Sequence, residues 1–321
     1  MPSAPLAAGA TEATPRLVAA ARPRSPGLAR RIWRKRFAYA LLLPTFLLLL
    51  VFRYYPAASA IYHSLFRWDG VNRPTFVGLQ NFAALLADPV VRVSTRNVLV
   101  LLLSQLAVTL TVPLLTAELI FGLRSPRLQY WFRMLFVVPM VVPLVVTLLV
   151  WRFIYNPIYG PLNHLLGLVG VVPVAWLGDS RTALLALIFI GFPWVSGFAL
   201  LIFLAGLQNV PQDIWDAGEV DGARGLTRFL HLDLPLILPQ VRLLSVLVAI
   251  GVIQGFGLPL VLTNGGPGYA TMVPGLHMFN IAFVGTQMGY ASAIGTAMFL
   301  VILAITYLNL RYLRSSVEFE A

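Results

Sequence analysis

Residues 216–235 gather charged and small side chains between two long apolar segments. Three acids come first and two arginines follow: Asp216, Glu219, Asp221, Arg224 and Arg228. The glycines between them permit tight turns and let another backbone approach closely. Such a segment can do recognition chemistry, namely charge pairing and close packing against a partner protein. The alternative is an amphipathic hairpin on the membrane interface, although anionic lipid would repel its acids.

A second kind of chemistry is available to polar and aromatic side chains inside the apolar segments. They are Gln254 and Phe256 in one segment and Trp194 and Ser196 in another. A polar group within a bilayer is costly and is therefore a functional candidate. Gln and Ser side chains both donate and accept hydrogen bonds, and aromatic side chains offer flat apolar faces, so these residues are predicted to line a substrate pathway. Packing between helices is the alternative.

Composition excludes several classes of site. The chain has no cysteine, which removes disulfides, thiolate metal ligands and thiol catalysis. Its four histidines are scattered, at positions 63, 164, 231 and 277, so a metal site is not expected. Neither GxxxxGKS nor GxxxxGKT, the phosphate-binding loop of many ATPases, is present. The chain therefore cannot hydrolyse ATP by that route.

The elements that must position the candidate residues are membrane-spanning helices. Hydrophobic residues make up 59% of the chain and charged residues only 11%, whereas soluble domains carry about 25% charged residues. A helix needs about 20 apolar residues to cross the hydrocarbon core. Six segments qualify: 37–61, 98–121, 135–155, 183–207, 236–262 and 290–310. The sequence therefore predicts an all-α polytopic membrane protein with six transmembrane helices.

Basic residues predict that both termini are cytoplasmic. With the N-terminus inside, 16 of the 23 basic residues lie on the cytoplasmic side, eight of them within the first 36 positions, as the positive-inside rule requires. The net charge of +11 therefore indicates topology and not nucleic-acid binding. We expect a disordered basic tail at 1–36, a transmembrane domain at 37–315 with its core at about 94–310, and a cytoplasmic loop at 208–235.

The cytoplasmic loop is predicted to form two short helices. Asn209 and Pro211 suit the start of the first helix, and the helix dipole favours the acids in its early turns. An apolar stripe is expected along it at Ile214, Trp215, Ala217, Gly218 and Val220. Gly222 can turn the chain at low cost because glycine tolerates a positive φ. The second helix is expected near residues 224–232.

The spacing within this loop resembles a known family signature. Asp216-Ala217-Gly218, then Gly222 after three residues, then Leu232-x-Leu234-Pro235 after nine, is similar to the EAA loop of binding-protein-dependent ABC transporter permeases. Within that family the chain most resembles the sugar-permease branch, the maltose- and glycerol-3-phosphate-type permeases. The resemblance runs over residues 38–312, and further matching pieces lie at 76–82, 176–179, 202–207, 262–268 and 289–293.

The resemblance implies a type I ABC importer permease fold in the cytoplasmic (inner) membrane of a prokaryote. The loop would be a coupling helix that seats in a cleft of an ATP-hydrolysing subunit, through Asp216, Ala217, Gly218, Gly222, Leu232, Leu234 and Pro235. The implied partners are a second permease subunit, a dimer of ATP-binding subunits and an extracytoplasmic solute-binding protein. ATP and Mg²⁺ would be bound by the ATP-binding subunits, so the chain itself would be no enzyme and hold no cofactor. The transported solute would be a di- or oligosaccharide or a related polyol.

The sequence departs from the family pattern in three places. Asp216 stands where the family has Glu, and Gly218 stands where it has Ala. Charge and small size survive these two changes, so docking is expected to persist. The third departure is Phe256-Gly257, which lacks the acid that usually follows the aromatic residue in this span.

Other functions stay open at this point. An ion-coupled secondary transporter would need carboxylates inside the membrane, and only Glu118, near the edge of a span, is available. A permease of the same family for a non-sugar solute, such as a glycerol phosphate ester, is another alternative. A membrane scaffold without a transported solute is the third.

Overall fold

The protein is mostly helical throughout residues 36–312, the part of the chain that the structure, a computed structural model, describes. Residues 1–35 of the expected basic tail lie outside the described residues. The chain divides into two compact units, residues 1–56 and 57–321. In the described part of the first unit the apolar side chains are exposed, as they are on a helix that contacts lipid.

The helices and strands follow one another along the chain. They are α1 (Arg36–Leu49), a π-helical turn (Leu50–Tyr54), α2 (Tyr55–His63), β1 (Phe66–Arg67), β2 (Thr75–Phe76), α3 (Gln80–Ala87), α4 (Pro89–Phe121), α5 (Pro126–Val137), a 3₁₀ turn (Val138–Val141), α6 (Leu144–Ile154), α7 (Pro161–Gly167), α8 (Ala183–Phe189), α9 (Gly197–Gln208), α10 (Gln212–Val220), α11 (Gly225–Arg228), a π-helical turn (Phe229–Asp233), α12 (Leu234–Leu236), α13 (Leu238–Gln254), α14 (Gly257–Leu262), α15 (Pro274–Phe279), a π-helical turn (Asn280–Val284) and α16 (Met288–Tyr312).

Several helices in the described residues are long and apolar enough to cross a membrane. Three qualify alone: Tyr39–His63, α4 and α16. Two bent pairs qualify together: Pro126–Val141 with α6, bent by 93°, and Gly225–Leu236 with α13, bent by 68°. The described chain therefore has three spans, or up to five if each bent pair counts as one. Helix α9 is apolar but has only 12 residues.

The spans expected at 135–155, 183–207 and 236–262 are each interrupted in the structure. A 3₁₀ turn separates α5 from α6, irregular backbone lies between α8 and α9, and α13 ends two residues before α14 begins. Proline explains the first two interruptions because it lacks the N–H that a helix needs and clashes with the preceding turn: Pro139 and Pro143 lie in the first, and Pro193 in the second. At the third, Gly255 is extended, with φ −73° and ψ 124°.

The expected second span begins earlier than residue 98, because α4 starts at Pro89. Proline suits the first position of a helix, where its missing N–H is not needed. Asp88 precedes it as the N-cap, and its side chain accepts hydrogen bonds from the backbone of Val90 and Val91. A helix of 33 residues results, long enough at about 1.5 Å per residue to extend past the hydrocarbon core.

The largest buried core joins the apolar helices to the loop at 208–235. Its members include Leu114 and Ala117 of α4, Leu200, Phe203 and Leu207 of α9, Trp215 of α10, Ile237, and Leu244 of α13. Small residues let these helices approach closely: a Cβ on Gly206 would lie 2.7 Å from Cδ of Gln240. Trp215 therefore ties the loop to the spans.

The second unit is not purely helical. β1 and β2 form a short antiparallel ladder with Phe66 opposite Phe76, which corrects the all-α expectation. Gly289, at the start of α16, donates its backbone N–H to the Trp68 carbonyl at 3.0 Å. A Cβ on Gly289 would collide with the Phe66 carbonyl oxygen, so only glycine fits where the ladder meets α16.

Gly289→Ala is expected to destabilise the protein by about 2 kcal/mol, because overpacking against backbone forces the two elements apart. The thermal unfolding midpoint in detergent measures the loss. Gly251→Ala is the matched control: Gly251 lies in α13 with nothing within 4 Å of its Cβ position, so alanine should be neutral or gain up to about 1 kcal/mol of helix propensity. Equal midpoints for the two variants would contradict the contact.

Candidate functional site

The first loop helix, α10, ends in a glycine-capped turn. Gly222 has φ +79°, its N–H donates to the Glu219 carbonyl at 3.1 Å, and the Ala223 N–H donates to the Gly218 carbonyl at 2.9 Å. These two bonds form a Schellman motif, in which glycine is favoured because the backbone is left-handed. The expected turn at Gly222 is thus observed. At the other end the helix begins after Pro211, and no side chain of Asn209 caps it.

One face of α10 is buried and the opposite face is exposed. Trp215 and Gly218 are buried, and a Cβ on Gly218 would lie 2.9 Å from Cδ2 of Leu232. Glycine at this position thus lets α10, the first arm of the loop, pack closely against the second arm, which contains Leu232. The apolar stripe expected from the sequence is wrong for Ala217 and Val220, which are exposed, because only the side facing Leu232 and the core is covered.

The exposed face of α10 has a regular pattern. Asp213, Asp216, Ala217 and Val220 are all exposed, and Val220 is 88% exposed. Positions separated by three and four residues share one side of a helix, so these four side chains form a single surface, which we call the docking face. Asp216 also accepts a hydrogen bond from Gln212 Nε2 at 3.0 Å. The docking face combines carboxylates with small apolar groups.

The second arm of the loop runs from Gly225 to Leu236, longer than the helix expected at 224–232, and is π-helical at Phe229–Asp233. Arg228 links the two arms: its guanidinium carbon lies 4.7 Å from the Trp215 ring centroid, and its Nε donates to Asp233 Oδ1 at 3.2 Å. Asp233 is buried. Stacking on Trp215 and pairing with Asp233 hold the arms together.

The other residues of the sequence signature lie partly against the core and partly at the surface. Leu232 and Leu234 pack against the main core, whereas Pro235 and Gly222 are exposed. Glu118 of α4 is half-buried beside Asp233, and its Oε1 has no hydrogen-bond partner in the described part of the chain. The loop therefore contacts a long span through Glu118 and Asp233 as well as through Trp215.

The candidate pathway residues lie at two helix breaks. Trp194 has φ +61°, and its Nε1 donates to the Ile188 carbonyl at 3.1 Å. Ser196 Oγ accepts the Ala199 N–H at 3.4 Å and caps α9. The polar atoms of these two side chains are thus used within the break between α8 and α9.

Gln254 and Phe256 occupy the other break. Gln254 is the exposed last residue of α13, and its side-chain amide has no hydrogen-bond partner among residues 36–312. Phe256 is half-buried and stacks on Phe279, with ring centroids 5.6 Å apart. Gln254 is therefore the predicted pathway residue whose donors and acceptors stay available.

A cavity of about 260 Å³ lies between these segments. Its walls include Ile188 of α8, Gly251, Gly255 and Gly257 around the second break, and Ser104 and Gln105 of α4. None of the four predicted pathway side chains lines it. Sequence reasoning missed Ser104 and Gln105, although two adjacent polar residues inside the apolar run of 98–121 were a signal of the same kind.

A polar cluster holds the opposite end of α4. Asp88 Oδ2 accepts a hydrogen bond from Tyr290 at 2.8 Å and pairs with His277 Nε2 at 3.0 Å, and Oδ1 accepts the Val90 N–H at 2.7 Å. Partial burial raises the pKa of Asp88, but the hydrogen bonds from His277, Tyr290 and Val90 outweigh it and hold the pKa below the ordinary value of 3.8.

A depressed folded-state pKa gives Asp88 a defined effect on acid stability. Its contribution is present above the unfolded-state pKa and is lost as the pH falls through the folded-state pKa. The thermal midpoint of the wild-type protein is therefore expected to fall as the pH drops below about 4, the ordinary range of an aspartate. Asp88→Asn should have a lower midpoint at pH 7 and a flatter acid profile, and parallel profiles for the two proteins would contradict this role.

The chain is similar to transport proteins along most of its length. Residues 112–318 match the family described as "Binding-protein-dependent transport system inner membrane component". The chain is 33% identical over 292 residues to the probable ABC transporter permease protein YurN of Bacillus subtilis, covering 88% of this chain and 98% of that protein. It is 29% identical over 283 residues to the sulfoquinovosyl glycerol transport system permease protein SmoG of Agrobacterium fabrum, covering 87% and 90%.

A solved structure has the same fold. It is the crystal structure of a bacterial alginate ABC transporter in complex with an alginate pentasaccharide-bound periplasmic protein, matched with a TM-score of 0.77 and 22% sequence identity. The match covers 88% of this chain and 95% of that chain.

Proposed function

The chain belongs to the family of binding-protein-dependent transport system inner membrane components, and we propose that it is a permease subunit of an ATP-driven importer that is coupled to its ATPase through the docking face of α10. The observation that carries the proposal is the exposed set Asp213, Asp216, Ala217 and Val220 on a helix whose other face is anchored in the core. Carboxylates and small side chains admit a partner surface closely and can pair with its cations.

The chain has no phosphate-binding loop of the GxxxxGKS or GxxxxGKT type, so another subunit would supply the energy for transport by hydrolysing ATP. ATP and Mg²⁺ are bound there, by a dimer of ATP-binding subunits that contacts the cytoplasmic loop at 208–235. When this dimer closes, the docking face moves with it. Trp215, Arg228 and Asp233 transmit that motion to α4, α9 and α13, because the arms of the loop are bonded to each other and packed on those helices.

The proposed topology has six spans with both termini in the cytoplasm. It is supported by the three long helices and two bent pairs, and by α8 and α9, which together take the place of the fourth span. The basic tail at 1–36 and the loop at 208–235 are then cytoplasmic, the permease domain covers 37–315, and its core lies at about 94–310. The excess of arginine in these cytoplasmic segments supports this orientation.

The proposed cargo is a carbohydrate, either a di- or oligosaccharide or a related polyol. One relative belongs to a sulfoquinovosyl glycerol transport system, and the solved structure with the same fold is an alginate transporter in complex with an alginate pentasaccharide-bound periplasmic protein. An extracytoplasmic binding protein would deliver it, as the periplasmic protein bound to the alginate transporter suggests. A second permease subunit would complete the pathway. A glycerol phosphate ester is the alternative cargo.

The proposed pathway passes Gln254 and Phe256, near the cavity lined by Ser104 and Gln105, with Trp194 and Ser196 shaping the wall at the break after α8. The free amide of Gln254 supports this route, since sugar hydroxyls need both donors and acceptors. Gly251, Gly255 and Gly257 line the cavity, and membrane proteins tolerate irregular backbone where it lines a cavity.

Gln105→Leu and Gln254→Leu are each expected to lower the transport rate about tenfold, because one hydrogen bond to the solute is worth about 1.4 kcal/mol. Uptake of labelled solute into proteoliposomes that contain the whole transporter measures the effect. Thr111→Val is the control, since Thr111 lies on the same helix and bonds the Ala107 carbonyl at 2.6 Å, away from the cavity. Wild-type uptake in both glutamine variants would argue against this route.

Co-purification tests the proposed function as a whole. An affinity-tagged chain, expressed with its genomic neighbours, should elute with a protein that carries a phosphate-binding loop and with a second permease. A secondary transporter or a scaffold would elute without the ATPase. Isolation of a chain that transports solute alone, driven by an ion gradient and without ATP, would overturn the proposal.

A further inference from the structure

A pocket of about 710 Å³, lined mainly by polar and charged side chains, shares no residue with the loop at 208–235 or with the cavity lined by Ser104 and Gln105. It is built from the segment between α2 and α4 together with the start of α16, on the side proposed to be extracytoplasmic. Its wall carries Arg67, Trp68, Asn72, Arg73, Asn81 and Gln287. A pocket of this volume is within the range of small-molecule sites, about 300–1,000 Å³.

The backbone around this pocket is held in place by specific bonds. Asn81 Nδ2 donates to the carbonyls of Ser64 and Phe66, at 2.8 and 2.9 Å. The Gly289 N–H donates to the Trp68 carbonyl at 3.0 Å, which ties the segment to α16. The β1–β2 ladder lies between these bonds. A site framed in this way loses little conformational entropy when it binds a ligand.

The two carboxylates of the pocket wall already accept hydrogen bonds from neighbouring groups of the protein. Asp69 accepts hydrogen bonds from the backbone of Val71 and Asn72 and from the Asn72 amide. The backbone bond from Val71 is the main cause that lowers the pKa of Asp69 to about 2, so this acid is ionised and locally bonded. Asp88, at the back of the pocket, is held by His277 and Tyr290.

The arginines of the wall, in contrast, have spare donors. Arg67 and Arg73 are exposed and form no ion pair or side-chain hydrogen bond within residues 36–312. Each guanidinium offers five N–H donors in a planar fork that matches carboxylate and phosphate groups. Asn72 and Gln287 add side-chain amides near them, and Trp68 adds an aromatic surface. Arg67 and Arg73 thus have no bonded acceptor among the described residues and lie next to groups that suit hydroxyls.

We propose that this pocket binds an oxyanion carried by a hydroxyl-rich molecule, with the anionic group held by Arg67 and Arg73 and the hydroxyls by the neighbouring amides. A soluble acidic saccharide or glycerol phosphate has this chemistry, and so does the phosphoglycerol headgroup of a lipid. The inference goes beyond the proposed function and does not rest on it, since it concerns neither the loop at 208–235 nor the cavity lined by Ser104 and Gln105.

Binding measurements on the full-length protein, purified with its accompanying subunits in an uncharged detergent, test the site. The soluble probes are D-glucuronate and sn-glycerol 3-phosphate, with D-glucose and glycerol as their neutral counterparts. Nanodiscs of phosphatidylglycerol or phosphatidylcholine test the lipid source. Arg67→Gln and Arg73→Gln are each expected to raise the Kd at least about tenfold, because each removes charge-assisted hydrogen bonds to the anion. Arg92→Gln is the control, an exposed arginine that does not line the pocket.

The outcomes distinguish a soluble ligand, a lipid headgroup and the absence of an anion site at these two arginines. Soluble anions that bind wild type and Arg92→Gln, but bind Arg67→Gln and Arg73→Gln weakly, support the site and assign a soluble ligand. Thermal stabilisation by phosphatidylglycerol alone, lost in the same two variants, supports the site and assigns a lipid headgroup. Neutral probes that bind as tightly as the anions, or binding that ignores both arginines, would overturn it. ATP-driven transport in the same preparations is measured separately, so failure of this site leaves the proposed coupling standing.

Discussion

Gly222→Leu is expected to reduce ATP-driven uptake to less than about a tenth of wild type while the protein still reaches the membrane. A non-glycine residue at φ +79° carries about 1–2 kcal/mol of backbone strain, which the folded chain can absorb. No atom of residues 36–312 lies within 4 Å of a Cβ at this position, so the described structure leaves room for the leucine side chain. It should protrude next to the docking face and block the ATPase that we propose binds there. Proteoliposome uptake and ATPase stimulation by the loaded binding protein should fall together.

Two further variants separate strain from obstruction. Gly222→Ala carries the strain with little bulk, so it should retain most of the uptake. Gly170→Leu is the matched control, because Gly170 also has φ +79° and open space around its Cβ position but lies in the segment after α7. Wild-type uptake in Gly222→Leu, or equal losses in Gly222→Leu and Gly170→Leu, would contradict a docking role for this turn.

Arg228→Gln is expected to loosen the loop at 208–235 and to lower both the stability of the protein and the proposed coupling to the ATPase. It leaves the buried Asp233 carboxylate without its partner at 3.2 Å and removes the cation stacked on Trp215. Breaking a fully buried ion pair costs about 3–5 kcal/mol. Because the Arg228 side chain is 37% exposed, solvent screening reduces the cost to about 2 kcal/mol. The thermal midpoint should fall by on the order of 4 °C, and each transported solute should consume more ATP.

Arg224→Gln is the matched control for this link. Arg224 and Arg228 both line a cleft beside Asp216 and Glu219, but Arg224 has no ion pair in the described residues. Its removal should leave the thermal midpoint within about 0.5 kcal/mol of wild type. Asp233→Asn combined with Arg228→Gln should cost less than the sum of the two single changes. Additive losses, or equal losses in Arg224→Gln and Arg228→Gln, would show that the pair does not hold the arms together.

The family and the membrane class were predictable from the sequence, and both are confirmed. Composition alone required a bilayer, and the spacing from Asp216 to Pro235 carried the family resemblance that residues 112–318 bear out. Gly222 was predictable as a turn because the need for positive φ is a local property. The interruptions of three spans were only partly predictable, since proline and glycine mark a possible break and the packing around them decides whether it forms.

Contacts between distant segments were not predictable in the same way. Nothing local to Glu118 shows that it lies beside Asp233, and nothing local to Gly218 shows that Leu232 packs against it. The exposure of Val220 is also a tertiary property, because the core covers only the Trp215 side of α10. Ser104 and Gln105 could have been found from the sequence, since polar residues within an apolar span are candidates by default.

Site-directed cross-linking of Val220→Cys tests the central claim most directly. The chain has no natural cysteine, so the new thiol is the only one in this subunit. Val71→Cys is its matched control, because Val71 and Val220 are 90% and 88% exposed and lie at opposite ends of the proposed topology. With a short thiol-to-amine cross-linker in membranes, Val220→Cys should join to the subunit that carries the phosphate-binding loop, with a yield that changes when ATP is added, and Val71→Cys should not. Cross-linking of that subunit to neither cysteine, or to both equally, would contradict the account.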